Sequence, residues 1–394
     1  MTADLYLRKG ADRRLRGGHL WVYSNEIDSA VNSLGQYQAG DSVRVRATDG
    51  KLLGSAYMEP QALICARLYA STDTPFDSAL LESRIRSALA IRQAAFPQPY
   101  YRLVYGDSDG LPGVVIDRFG DYAVVQLNNS GIERYSELVV AALVEVLKPA
   151  GVLLRGDSRS RREKGLADDI EVVSGSVPEQ VSLEENGVHF MAPVHGGQKT
   201  GWFYDHRMAR ARLAPWVAGK SVLDVYSYIG GWGIQAGAFG ASEVCCLDSS
   251  GPALEGVLSN AALNGLVDKV SVRQGSAPET MKQMIDEGLA YDVVILDPPA
   301  FIQRRKDIKK GITAYRRINE LGLRLLRPGG LLVAGSCSMH LAQADLIGAM
   351  QQAAVRAGCQ LRVVEQGAQG PDHPIHPAIP ETEYLKAVFA VKSD

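Results

Sequence analysis

From about residue 186 onward, short apolar runs rich in β-formers recur, each followed by a stretch with helical spacing. The runs are SVLDVYSYIGG, GASEVCCLDSS, KVSVRQGS, YDVVILDPPAF and GLLVAGSCS; between them lie GPALEGVLSNAALNG, APETMKQMIDEGL and YRRINELGLRLL. Strands that alternate with helices predict a parallel, doubly wound α/β sheet over residues 186–394. In such sheets ligands bind beyond the carboxyl ends of the strands. The polar residues that close each run are therefore the candidates for function.

The preceding chain has a different rhythm. Residues 1–72 read as short strands and turns, with alternation in SVRVRA and a turn at Asp49-Gly50, which argues a small β domain. A helical pattern capped by Asp77 runs through FDSALLESRIRSALAIRQAAF. GLPGVVIDRFGDYAVVQLN then reads as a hairpin turning at Phe119-Gly120-Asp121, followed by the helix IERYSELVVAALVEVL and the strand GVLLRG. Residues 73–185 are thus expected to be a small α+β domain.

A length of 394 residues suits two or three domains. The N-terminus holds no apolar run fit for a signal peptide, and nowhere do about 18 apolar residues follow one another. A cytoplasmic protein is expected. The five cysteines, Cys65, Cys245, Cys246, Cys337 and Cys359, form no disulfide framework and no CxxC pair. No metal site is expected, because His373 and His376 in DHPIHP sit in a proline-held turn. Net charge is −2 (42 Lys+Arg against 44 Asp+Glu), so the total suggests no polyanion partner. The distribution does suggest one. Basic residues cluster at Arg8, Lys9, Arg13, Arg14 and Arg16, at Arg159, Arg161, Arg162 and Lys164, and at Arg304, Arg305, Lys306, Lys309 and Lys310. Such patches serve phosphate binding.

The strand ends carry the chemistry. Ser227 to Gly233, SYIGGWG, follows the strand SVLDVY, and its glycines let the backbone turn tightly and approach a ligand. The next strand ends in Asp248, placed to accept hydrogen bonds from ribose hydroxyls. The cofactor therefore contains a nucleoside. The glycines lack the GxGxxG spacing that presents a helix N-terminus to a pyrophosphate. The fourth strand ends in a rigid Asp297-Pro298-Pro299 turn, which suits the edge of a base with Phe301 available to stack. Both features favour S-adenosylmethionine over a dinucleotide. Cys337 follows the adjoining strand GLLVAGS, flanked by Ser336 and Ser338. Carbon 5 of cytosine becomes nucleophilic once a thiolate adds to carbon 6, and a carboxyl group at N3 assists by hydrogen bonding or protonation. Cys337 and Asp297 would supply that pair.

The chain resembles, over essentially its full length, the bacterial family of large-subunit rRNA cytosine-C5 methyltransferases with an N-terminal PUA domain. The resemblance rests on RRLRGGHLWVYSNEI, GQKTGWFYDHR (197–207), LDVYSYIGGWG, CCLDSS, ILDPPAF, GSCS and DHPIHPAIPETEYLK (372–386). It implies a PUA domain over 1–72, an α+β region aiding RNA binding over 73–185, and a Rossmann-like class I methyltransferase over 186–394. It implies that Lys199, Thr200, Asp205 and Arg207 frame the cofactor cleft, that Tyr226, Ser227 and Gly230 lie under the methionine part, that Asp248 holds the ribose, and that Cys337 is the nucleophile. Family members are often homodimers. Three departures stand out: Ala300 where lysine is common, Ser276 where an acidic residue usually contacts the adenine amine, and Asp224 where Asn is frequent.

RNA would meet Arg13, Arg14 and Arg16 on the β domain, with Trp21 or Tyr23 available to stack, and Arg304 and Arg305 beyond the DPP turn. The target base would be unstacked and brought to Asp297 and Cys337. Two other readings fit the same residues. A methyltransferase of this fold acting on a ring nitrogen or exocyclic amine of guanine or adenine needs the acidic-Pro-Pro-aromatic turn but no cysteine. A catalytically degenerate RNA-binding protein would bind the cofactor without transfer to RNA.

Overall fold

The computed structural model describes residues 2–157, 159–162, 165 and 167–393. The chain divides into two units. One comprises Met1–Val181, Pro193–Tyr204 and Pro371–Thr382; the other comprises Ser182–Ala192, Asp205–Gly370 and Glu383–Asp394.

In the first unit, the alternation of SVRVR puts Val43 and Val45 inside, fully buried, and leaves the polar positions between them half-exposed. Five strands, β1 (Ala3–Tyr6), β2 (Trp21–Tyr23), β3 (Ser42–Arg46), β4 (Leu52–Met58) and β5 (Ile64–Ala70), pair in the order β1-β3-β4-β5-β2. They enclose Leu5, Val22, Ala56 and Cys65. A second sheet holds β6 (Tyr100–Tyr105), β7 (Val114–Phe119), β8 (Tyr122–Leu127), β9 (Gly151–Arg155) and β10 (Ile170–Gly175), in the order β10-β9-β8-β7-β6. The β7–β8 hairpin turns at Gly120, whose φ of 64° a side chain disfavours. Helices Ser78–Ala95 and Ser136–Leu147 bury Leu81, Ile85, Val139 and Leu143 in the core under this sheet. Asp77 caps the first of them, accepting from Leu80 N at 3.0 Å.

The basic stretch around residue 160 differs in part from the expected phosphate-binding patch. Arg161 is buried and paired with Glu133, with further bonds to the carbonyls of Leu127 and Ala167. A guanidinium gathering that many acceptors is structural. Lys164 lies outside the described residues.

A ribbon of β11 (Gln180–Glu185) and β12 (Val188–Pro193), turned by Asn186 and Gly187 at positive φ, leads onward. The second unit then forms a seven-stranded sheet from β13 (Ser221–Val225), β14 (Glu243–Asp248), β15 (Val270–Gln274), β16 (Tyr291–Leu296), β17 (Leu326–Ser336), β18 (Gln360–Gly367) and β19 (Lys386–Ser393). Their order is β15-β14-β13-β16-β17-β19-β18. β13 to β17 are parallel, whereas β19 runs antiparallel between β17 and β18. Every residue of the central β13 is buried, as expected of a strand covered on both faces. Successive strands move outward on one side through β14 and β15, then restart on the other side of β13 with β16. That reversal opens a crevice at the carboxyl ends of β13 and β16. Among the described residues, no helix is long and apolar enough to cross a membrane.

Candidate functional site

The loop leaving β13 is held in conformations that L-residues seldom adopt. Tyr226 and Tyr228 have φ of 66° and 50°, and Gly230 has φ of 87°. Backbone strain of this kind persists only where surrounding contacts enforce it. Here Asp248 enforces it, accepting from Tyr228 N and Ser250 N, both at 2.9 Å, from the end of β14. Gly233 begins the following helix, and a Cβ there would lie 2.6 Å from Cys246 Sγ. Its N–H donates to Asp224 Oδ2 at 2.8 Å. Two buried oxygens beneath this loop, Asp224 Oδ1 and Ser227 Oγ, have no hydrogen-bond partner among the described residues. A glycine-lined turn over unsatisfied acceptors, with a carboxylate at the next strand end, fits the amino-acid and ribose parts of S-adenosylmethionine. Tyr226, Ser227, Gly230 and Asp248 would hold it. Ser276 is exposed at the start of the helix after β15 and makes no capping bond with its side chain.

Asp224 is fully buried. Burial, reinforced by the negative charges of Asp297 and Asp248, pushes its carboxyl up to about 7, against the Gly233 N–H and Arg210, which favour the anion. The sign of the consequence follows from linkage. A carboxyl whose folded value lies above its unfolded 3.8 binds a proton that the unfolded chain releases, so stability falls as pH rises from about 4 to about 7 and then levels off. Asp224→Asn keeps an acceptor for Gly233 and removes the titration. Its unfolding free energy should match wild type near pH 4 and exceed it increasingly up to about pH 7, by on the order of 4 kcal/mol, as denaturant melts across pH would show. A difference independent of pH would show that Asp224 ionises freely in the fold.

At the end of β16, Asp297 is gripped from two sides. His206 Nε2 lies 3.1 Å from Oδ1, and Trp232 Nε1 donates to Oδ2 at 3.0 Å. Burial alone would raise this carboxyl, but His206, the two hydrogen bonds and Arg210 outweigh it and hold Asp297 below the usual carboxylate range. Trp232 belongs to the glycine loop, and its ring packs against His206 at 5.5 Å. Arg210 lies over the Trp232 ring at 5.9 Å and is anchored by Glu185 Oε1 at 2.7 Å. Arg207 sits 3.5 Å from the other Glu185 oxygen, and Asp205 accepts from Tyr384 Oη at 2.5 Å. Asp205 and Arg207 therefore brace the segment that carries His206. His206 itself, buried with its Nδ1 unpartnered among the described residues, is not among the site residues that the sequence suggests. Its one signal in the sequence is its place between Asp205 and Arg207.

Gly335 explains how Asp297 fits beside β17: a Cβ there would lie 3.0 Å from Asp297 Oδ1. Two residues on stands Cys337. Its flanking serines are both buried and tied to one phenol. Ser336 Oγ donates to Tyr315 Oη at 2.8 Å, and Tyr315 Oη meets Ser338 Oγ at 2.8 Å. Ser338 also accepts from Ile302 N at 3.2 Å, and its carbonyl accepts from Lys386 Nζ at 3.0 Å. With both neighbours fastened inward, Cys337 stays partly exposed at the strand end. Phe301 packs one side on Tyr315 at 4.8 Å.

Lys199 and Thr200 fall in the first unit. Thr200 is fully buried and donates to Asp117 Oδ2 at 2.5 Å, beside the Arg102–Asp117 pair. Lys199, at φ 51°, lies over the Phe203 ring at 4.4 Å. Among the basic residues, Arg14 is paired with Glu26, and Arg16 with Asp12 and Asp49, whereas Arg13 is exposed. Arg304, Arg305, Lys306, Lys309 and Lys310 are all exposed and lack a carboxylate partner among the described residues.

Comparison with known proteins adds a second line. Residues 150–389 match the family model for S-adenosylmethionine-dependent methyltransferases, and residues 5–71 match that of a PUA-like domain. The ribosomal RNA large subunit methyltransferase I of Shewanella denitrificans is 36% identical over 397 residues, covering 99% of each chain. That of Vibrio vulnificus strain YJ016 is 36% identical over 399 residues, covering 100% of each. A Streptococcus mutans structure described as a SAM-dependent methyltransferase superposes with a TM-score of 0.84 at 21% identity, covering 99% of this chain and 100% of that one. Another methyltransferase structure, complexed with SAH, gives 0.85 at 21% identity with the same coverage. At that identity the two structures speak for the fold.

Proposed function

The chain belongs to the S-adenosylmethionine-dependent methyltransferase family with a PUA-like N-terminal domain, and from that premise we propose that it methylates carbon 5 of a cytosine in large-subunit ribosomal RNA. The observation that carries this reading is the meeting of Asp297 and Cys337 at the ends of neighbouring strands. Asp297 Oδ1 is 3.0 Å from the Cβ position of Gly335, and Cys337 lies two residues on, just past the end of β17. In this reading one flat base lies between that thiol and that carboxylate. S-adenosylmethionine supplies an electrophilic methyl group.

The residues divide the work. Asp297, ionised and fixed by His206 and Trp232, accepts a hydrogen bond from the exocyclic amine of the base. Of the two roles open to it, hydrogen bonding is favoured over proton donation, because its anion is the form these donors stabilise. The thiolate of Cys337 adds to C6, forming a C6–S bond and moving electron density to C5. C5 takes the methyl group and loses its proton to a base; the C6–S bond then breaks, restoring the aromatic ring and the thiolate. Rocking the Cys337 side chain away from that path is opposed by the anchored serines.

Ribosomal RNA as substrate is supported by the named relatives and by the cationic run Arg304 to Lys310, whose five basic residues outnumber Asp307 and form no ion pair among the described residues. RNA affinity should fall steeply between about 50 and 200 mM salt; a flat response would remove these clusters from the footprint. The decisive test is transfer from labelled S-adenosylmethionine to unmodified total rRNA, followed by nucleoside analysis. Label in 5-methylcytidine is expected. Label in a methylated guanosine or adenosine would overturn carbon methylation in favour of the amine or ring-nitrogen reading.

A further inference from the structure

The first unit contains a cleft of about 420 Å³ that the proposed chemistry does not use. Its deeper wall is apolar: Leu15, Leu68, Tyr69 and Ala88 are buried there. Its polar groups are mostly donors. Arg84, His19 and His376 line it together with the hydroxyls of Ser71, Ser87 and Ser108.

The donors are uncommitted in a consistent way. Arg84 makes one long hydrogen bond, 3.4 Å to the Tyr69 carbonyl, and no ion pair among the described residues. It lies against Gly110, where a Cβ would come 3.1 Å from its Nε, and the φ of 70° at that glycine keeps the position bare. His19 Nδ1 accepts from Trp21 N at 3.0 Å, and His376 Nδ1 accepts from Ala378 N at 3.2 Å. An imidazole whose Nδ1 accepts carries its hydrogen on Nε2, so each ring keeps an N–H to give. Ser108 Oγ is buried and has no partner among the described residues. The carboxylates in the lining are spoken for. Asp107 accepts from Trp21 Nε1 at 2.9 Å, and Asp109 takes both terminal nitrogens of Arg92 at 2.7 Å.

An unpaired guanidinium, two N–H donors and a free hydroxyl over an apolar wall are the complement of one anion joined to one ring. We propose that this cleft is a nucleotide subsite, which takes the phosphate of one unstacked RNA nucleotide on Arg84, His19 and His376 and its base against the apolar wall. The proposal rests on the reading that the substrate is RNA. It assigns to the first unit a grip on a nucleotide other than the one methylated.

Full-length protein and a labelled single-stranded RNA, followed by fluorescence anisotropy, test it. Arg84→Ala should weaken binding roughly 10-fold or more and lower the salt slope by about one. Arg84→Lys should fall between, since it keeps the charge without the fork. His376→Ala should weaken binding by a smaller factor. S-adenosylmethionine affinity by calorimetry and the thermal melt should not change in any of them; the unchanged melt excludes misfolding. Wild-type binding with no loss in Arg84→Ala or His376→Ala overturns the subsite and leaves the RNA reading standing. Failure of the wild type itself to bind RNA overturns that reading. A third arm titrates cytidine monophosphate and inorganic phosphate by calorimetry. Binding there that Arg84→Ala abolishes, with RNA affinity unchanged, would make the cleft a site for free nucleotides and overturn its RNA role.

Discussion

Cys337→Ala should abolish methyl transfer to RNA while leaving S-adenosylmethionine binding at its wild-type strength. In the proposed mechanism the thiolate is the group that makes C5 reactive, and no neighbour can replace it. Ser336 and Ser338 are the only hydroxyls adjacent in the chain, and both are buried and engaged with Tyr315. The loss in kcat should be about 10³-fold or greater. The fold should hardly notice, because the partly exposed side chain loses one sulfur at a strand end while the buried serines keep their bonds. Calorimetric titration with S-adenosylmethionine and a thermal melt provide the controls. Cys337→Ser should be as inactive as the alanine variant, since a hydroxyl is a far weaker nucleophile at neutral pH. Retention of most activity by Cys337→Ala would return the residue to a quiet strand end and favour transfer to a nitrogen.

The parallel half was legible because its strands are apolar throughout and separated by helical spacing, a pattern that survives in one dimension. The antiparallel placement of β19 between β17 and β18 was not legible, because an antiparallel neighbour needs no crossover helix to announce it. Site residues at strand ends were legible for the same reason as the strands. His206 was not, because its partner Asp297 is ninety-one residues away (297 − 206) and no local period connects them. Ser336 and Ser338 illustrate a subtler miss. In one dimension the polar neighbours of Cys337 suggest an open position, yet they are the buried residues, satisfied by a tyrosine from the helix Ile308–Leu325. In DHPIHP, the proline-held turn likewise hides a tertiary bond: the carbonyl of Asp372 accepts from the buried Arg92 at 2.9 Å.

Asp297→Asn should lower kcat/KM by roughly 10²- to 10⁴-fold without loss of cofactor affinity, if the carboxylate does what its surroundings prepare it to do. An amide cannot accept on both sides, so one of Trp232 Nε1 and His206 Nε2 would face an N–H, and the charge that anchors the substrate amine would be gone. The pH dependence separates charge from shape. Burial raises the Asp297 carboxyl, and His206 with Trp232 and Arg210 more than reverses the rise, so the anion persists below the ordinary carboxylate range. Activity that needs the anion should therefore stay level as pH falls toward about 5, limited on the acid side by other groups. Removing His206 deletes the strongest opposing partner. In His206→Ala the acid limb of kcat/KM should climb toward neutrality, because burial is then less opposed. His206→Gln can still present an N–H to Oδ1 and should recover part of the rate, with an acid limb between those of wild type and alanine. A role confined to packing would lower the rate of both variants without moving the limb. That outcome would leave His206 as a core residue and place the control of the carboxylate on Trp232 and Arg210 alone.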